Sequence, residues 1–202
     1  RIKGEDKYWA QDVSQEKGNY DYLMFSDVDH AHPEVREELA AWADWFIETT
    51  GVDGFRMDAA KHISASFMKD FFYHVRQTHD RDFFFVAEYW DPSLQTLDNY
   101  LSSTGEQPML FDVQLHFNFH FASVSGSDYD LRTILDNTLV KDSPTQAVTF
   151  VENHDPQPGQ SLASPVEDWF KPLAYAIILL RSSGYPCVFY GDYYGSGDGS
   201  IA

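Results

Sequence analysis

The sequence predicts an α/β fold built on a parallel sheet, and three observations carry that expectation. Short apolar runs alternate with helical segments, most of the runs are apolar throughout instead of on every second residue, and carboxylates follow several of them. A strand covered by helices on both faces has no solvent side to keep polar, which explains the second observation. A (β/α)8 TIM barrel is favoured over an open doubly wound sheet, because no glycine-rich phosphate-binding turn follows any run. Asp58, Glu88 and Asp155 instead stand at or just past the C-terminal ends of three separate runs, where such barrels gather their reactive groups. A complete barrel takes about 250 residues and eight strands. The five expected strands are therefore roughly strands four to eight of one, with the tail of an inserted domain before them.

Pro33 to Thr50 is expected as a helix, with Pro in its first turn, Val35, Leu39, Trp42, Phe46 and Thr49 stepping by three or four, and Gly51 stopping it. Val52 to Met57 follows as a strand. Ser64 opens the next helix, with Phe67, Phe71 and Val75 on one face, and Phe83 to Ala87 is the next strand. Beyond it come a helix at Leu94 to Leu101, a strand at Met109 to Val113, a helix at Tyr129 to Leu139 and a strand at Ala147 to Val151. A long helix at Val166 to Leu180 and a strand at Cys187 to Tyr190 complete the series. Arg1 to Ala31 has a different texture, rich in Gly, Asn, Asp and Tyr with no period, and is expected to be loop or part of a small inserted domain. The domain division is thus 1–31 for the inserted domain and its junction, and 32–202 for the incomplete barrel.

The 202 residues, 43% hydrophobic and 16% aromatic, suffice for a real core. With 14 basic against 32 acidic side chains the net charge is −18, a field that repels phosphates and anionic headgroups. Neither nucleic acid nor a membrane is an expected partner. The longest apolar stretch, Ala174 to Leu180, is far shorter than the roughly 20 residues that span a bilayer. Cys187 is the single cysteine, lies in an apolar run, and is expected to be a small buried hydrophobe. No targeting segment is visible, but the chain opens on Arg1 without Met and both ends look cut, so cytoplasm and secretion both stay open, with the balance toward the cytoplasm.

Breaking a glycosidic bond with retention of configuration requires a carboxylate nucleophile and a carboxylic acid about 5 to 5.5 Å apart, a spacing that two neighbouring barrel strands can supply. Arg56, two positions before Asp58, shares its strand face and can orient the carboxylate, which suits a nucleophile. Glu88 ends an apolar strand beside Tyr89 and Trp90, in a partly desolvated setting that raises a carboxyl's proton affinity, as a general acid needs. Asp155, after Asn153 and His154, is a third carboxylate. One strand-end acid is more often a helix cap or ion-pair partner; three in register with three strand ends point to chemistry.

Three segments carry a resemblance. Gly54-Phe-Arg-Met-Asp-Ala-Ala-Lys-His62, Val86-Ala-Glu-Tyr-Trp90 and Phe150-Val-Glu-Asn-His-Asp155 resemble the α-amylase family motifs at the ends of barrel strands four, five and seven. Gly18-Asn-Tyr-Asp-Tyr-Leu-Met24 and Gly184-Tyr-Pro-Cys-Val-Phe-Tyr-Gly191 extend the similarity, which is greatest to liquefying-type and intracellular fungal-type members. The resemblance implies hydrolysis of internal α-1,4 bonds in starch-type glucans, with Asp58 as nucleophile, Glu88 as acid/base and Asp155 gripping the distorted sugar. It further implies that Arg56 orients Asp58, that His154 binds the same sugar, and that Lys61 and His62 serve the leaving-group side. Trp90 is divided between a stacking face for glucose and plain core packing.

The same resemblance implies one structural Ca²⁺ where the inserted domain meets the barrel, held by Asp21, Asp27 and the backbone carbonyl of His62. A second metal cluster of liquefying-type relatives has Ala10 and Ala31 where carboxylates are needed, with only Asp29 kept, and is not expected. Pro156 stands where the family usually has Thr. A monomer acting on an α-glucan is expected. The alternatives are a glucan transferase of the same family, which would share all three carboxylates, and an inactive glucan-binding homologue, which would have lost one.

Overall fold

The computed structural model describes residues 10–16 and 28–195. By internal contacts the chain forms two compact units, Arg1–Tyr89 with Asn99–Pro108, and Trp90–Asp98 with Met109–Ala202.

In the first unit helix α1 spans Pro33–Thr50, with Pro in its first turn and Gly51 closing it at φ 70. These are the bounds the sequence predicts. The packed face is rotated from the expected stripe, since Ala43 and Ile47 are buried while Trp42 is exposed. Strand β1 (Gly54–Met57) follows, then α2 (Ala65–His79), whose N-cap Ser64 accepts from the amide of Phe67 at 3.2 Å. Strand β2 (Phe84–Ala87) runs parallel to β1, with Gly54 opposite Phe84 and Met57 opposite Ala87. A side chain at Gly54 would place its Cβ 2.0 Å from the Phe84 carbonyl oxygen, so only glycine permits this approach. The core between helices and strands is aromatic: Phe67, Phe71, Phe72, Phe83 and Phe85 are buried with Met68 and Val75, and the Phe72 and Phe85 rings lie 4.6 Å apart. Each ring fully removed from water contributes about 1.5–3 kcal/mol.

In the second unit the strands β3 (Met109–Phe111), β4 (Ala147–Phe150) and β5 (Tyr185–Cys187) are parallel and lie in chain order. Every residue of β4 is buried, which fits a strand covered on both faces. Around the strands stand α4 (Val113–Ser125), the four-residue α5 (Leu139–Asp142), α6 (Lys171–Leu180) and the short α7 (Tyr190–Tyr194); α3 (Leu94–Ser103) begins in this unit and ends in the first. Cys187, expected to be buried, is half-buried and packs against the Trp90, Val113 and Phe150 cluster.

Four sequence expectations are corrected here. The strand at 109–113 ends at Phe111, and α4 starts at Val113 with Asp112 as its cap, accepting from the amide of Leu115 at 3.1 Å. Of the helix expected at 129–139, only Leu139 is α-helical, as the first residue of α5. Asp130 instead accepts from the amide and guanidinium of Arg132, its carbonyl takes the Thr133 hydroxyl, and Asn137 turns to φ 60, so local side-chain bonds outcompete helix propagation. The helix expected from Val166 begins at Lys171, because Pro172 lacks an N–H and is tolerated only in a first turn. The last strand is 185–187 instead of 187–190, and Tyr190 already belongs to α7.

Candidate active site

The parallel register sets Asp58 and Glu88 one step beyond the paired residues Met57 and Ala87, and the Glu88 amide donates to the Met57 carbonyl at 2.9 Å. The two carboxyl groups therefore leave neighbouring strand ends at one level. Arg56 links them: Nη1 donates to Asp58 Oδ1 at 2.6 Å, and Nη2 lies 3.4 Å from Glu88 Oε2. Their surroundings differ sharply. The Asp58 side chain is 71% exposed, whereas that of Glu88 is 8% exposed and receives the Ala59 amide at 3.0 Å. Burial pushes the Glu88 carboxyl above its ordinary range, the Ala59 amide and the Arg56 charge pull it back, and Asp58 pushes it further as both charge and hydrogen-bonding partner. The result is a buried carboxyl whose proton affinity is raised, beside an exposed carboxylate gripped by a guanidinium.

Lys61 and His62 close the turn after β1 in a short 3₁₀ segment, Ala60–His62. The segment 10–16 docks there. Lys61 Nζ pairs with Glu16, His62 Nε2 lies 3.8 Å from the same carboxylate, and the Ser14 amide donates to the Lys61 carbonyl at 2.7 Å. Asp12 accepts from the Ser64 hydroxyl and the Ser66 amide, both at 2.8 Å, and so reinforces the start of α2.

In the second unit His154 and Asp155 follow β4. The Asp155 amide donates to Asn153 Oδ1 at 2.8 Å, and His154 Nε2 stands 3.4 Å from Asp155 Oδ2. Trp90 is 9% exposed and packed among Val113, Phe150, Phe111 and Phe117, with His116 5.7 Å away. Of its two expected roles, core packing fits this setting better than a platform for a sugar ring.

Residues 4–201 match the family described as Alpha amylase, catalytic domain. The chain belongs to the α-amylase family. It is 53% identical over 194 residues to an alpha-amylase of Bacillus licheniformis, covering 96% of this chain and 38% of that protein. To a cytoplasmic alpha-amylase of Escherichia coli it is 49% identical over 188 residues, again 38% of that protein and 93% of this chain. An Anoxybacillus alpha-amylase structure superposes with a TM-score of 0.65 at 23% identity, over 83% of this chain and 37% of that one, and this likeness supports the fold. The chain thus spans little more than a third of the relatives it matches, and within that span it has an α-amylase fold, a part of the (β/α)8 barrel.

Members of the α-amylase family commonly bind calcium. Of the expected ligands, Asp21 and Asp27 lie outside the described residues, and only His62 is placed. Among the described residues no group of three or more His, Cys, Asp or Glu side chains could hold a metal. Asp29 serves its own turn, with Oδ1 accepting from the Ala31 amide at 3.0 Å.

Sequence reasoning missed Glu16 and Asp12, which carry no local signal because their partners lie some fifty residues on. It also missed Glu152, although the rule that picked Glu88, an acid ending an apolar strand, applies to it equally.

Proposed function

We propose that the protein to which this chain belongs is an α-amylase that hydrolyses internal α-1,4 bonds of starch- or glycogen-type glucans with retention of anomeric configuration. The observation that carries this is the Arg56-bridged pair of unlike carboxyl groups at adjacent strand ends, one exposed and one buried with its proton affinity raised. In the first step the Glu88 proton passes to the leaving glycosidic oxygen as an Asp58 oxygen bonds to the anomeric carbon. In the second, Glu88 takes a proton from water, the water oxygen bonds to that carbon, and the Asp58 ester bond breaks. Two inversions give retention. Arg56 orients Asp58; Asp155 and His154 are assigned the sugar hydroxyls, and Lys61 and His62 the leaving-group side, by their places in the family motifs. The identities of about 50% to named alpha-amylases support the same substrate class. A structural Ca²⁺ held by Asp21, Asp27 and the His62 carbonyl is part of this proposal, as is a monomeric state; the metal enters neither chemical step.

The test is the product profile of the complete protein on soluble starch and on maltotetraose. Hydrolysis of internal bonds predicts an early collapse of viscosity and linear oligosaccharides released in the α form. Cyclic glucans, or products longer than maltotetraose as the main outcome, would make the enzyme a transferase with the same carboxylates, and no turnover at all would leave a glucan-binding homologue.

A further inference from the structure

Glu152 is a buried carboxyl that neither chemical step uses. It is the second residue after β4, 2% exposed, and both of its oxygens are occupied by N–H donors from the loop that leads to α6. Oε1 accepts from the Val166 amide at 2.5 Å, and Oε2 accepts from Gln157 Nε2 at 3.0 Å. The same Gln157 nitrogen donates to the Asn153 carbonyl at 2.8 Å, so both hydrogens of that amide are spent. Asn153 in turn takes the Asp155 amide on its side chain, while the Ser164 amide donates to the Pro156 carbonyl at 3.0 Å. The Gln157 side chain therefore closes the stretch Asn153–Gln157, which carries His154 and Asp155, and Glu152 holds that side chain in place.

We propose that Glu152 is a positioning residue, whose carboxylate clasps the loop after β4 through Val166 and Gln157 and thereby sets the orientation of Asp155 toward the bound sugar. This rests on the role given to Asp155 under the proposed function. A carboxylate is the group the geometry demands, because it offers an acceptor to each donor. A glutamine in its place has one acceptor oxygen, and in either orientation its NH₂ faces another N–H. Burial raises the Glu152 carboxyl to about 7, with the Val166 amide and Lys171 drawing it down and Asp192 pushing it up, so ionisation is costly there and the two-acceptor clasp is complete above that pH. Tyr175, on α6, completes this surrounding through its bond to Asp192. The retention of an acid under those conditions is what a two-acceptor clasp accounts for.

The experiment is a double-mutant cycle in the complete protein, read as acarbose affinity by titration calorimetry and as kcat/KM on maltoheptaose. Glu152→Gln should weaken acarbose by about tenfold, as the misplacement of one sugar-gripping group would. In an Asp155→Ala background the same substitution should change affinity by less than about twofold, because the group it positions is gone. Gln157→Ala, at a half-buried position, should show the same dependence with a smaller loss and decides the matter if Glu152→Gln does not fold. Losses of equal size in both backgrounds would make Glu152 a purely structural residue and overturn the proposal, as would unchanged affinity in both variants. A wild-type protein that neither cleaves starch nor binds acarbose would instead overturn the functional proposal itself, and this inference with it.

Discussion

The backbone amide of Ala59 donates to Oε2 of Glu88 at 3.0 Å, and Ala59 reaches that position only by adopting the left-handed conformation, φ 47 and ψ 39. The next amide, that of Ala60, donates to the Glu88 carbonyl at 2.9 Å, so the turn holds the acid by side chain and main chain together. An L-residue in this region costs about 1–2 kcal/mol, of which glycine's larger unfolded-state entropy returns a part. Ala59→Gly in the complete protein should therefore raise the thermal midpoint slightly, by the equivalent of no more than about 1 kcal/mol. Ala59→Val, β-branched in the same conformation, should lower it by about 1–3 kcal/mol. A midpoint that falls with Gly would show that the turn is unstrained.

The unlike surroundings of Asp58 and Glu88 give each its own signature. Asp58→Asn and Glu88→Gln should each lower starch turnover by at least about 10²-fold while circular dichroism stays native. With an activated glycoside, azide should rescue Asp58→Gly to the product of inverted configuration and Glu88→Ala to the retained one. The opposite pair of anomers would exchange the two roles.

Two buried groups should tilt stability against pH in opposite senses. Glu152 is raised from 4.5 to about 7, so between those values the folded protein keeps a proton that the unfolded chain has lost, and stability falls as pH rises. His116 is lowered from 6.5 to about 4 by burial, against the pull of the Val151 carbonyl and with a small push from His120. Over that window the unfolded chain takes a proton the folded one refuses, so stability rises with pH. Each effect is worth about 3 kcal/mol at most and the windows nearly coincide, so the wild type hides both. Glu152→Gln should uncover a rise in melting temperature from pH 4 to 6.5, and His116→Gln a fall from pH 4.5 to 7. Variant curves parallel to the wild type would refute the assignment.

Calcium is expected to act on stability. Chelation should lower the melting temperature of the complete protein by mass action, and Asp27→Ala should shrink that difference. A melting temperature indifferent to chelator, or no bound Ca²⁺ by metal analysis after dialysis against it, would remove the ion from the proposal.

Helix α1 was legible to the residue because its ends are chemical events, a proline that fits a first turn and a glycine that turns left-handed. The pair Asp58 and Glu88 was legible because strand ends in a parallel sheet fall in register. Helix α4 was not. Its apolar residues, Val113, Leu115, Phe117, Phe119 and Phe121, alternate like those of a strand, whereas the face it buries includes His116, Asn118 and Ser123. These polar groups are paid for by bonds from distant segments: His116 bridges the Val151 carbonyl and the Ser164 hydroxyl at 2.8 and 2.9 Å, and Asn118 donates to the carbonyls of Ile134 and Asp136. Periodicity obscures a helix whose buried face mixes apolar with polar residues, because the partners that make the polar ones tolerable lie elsewhere in the chain. Loop 152–166 was hidden for the same reason, its closure resting on Val166 and Gln157.

The packing of Trp90 against His116 also has an optical consequence. The two rings lie 5.7 Å apart, and Trp90 is shielded from water while Trp42, Trp45 and Trp169 are exposed. A shielded indole emits at shorter wavelength than an exposed one, and an imidazolium at that range drains its excited state whereas a neutral imidazole does so far less. Among the described tryptophans Trp90 alone is shielded, so the blue edge of their fluorescence gauges the proton on His116 without a label.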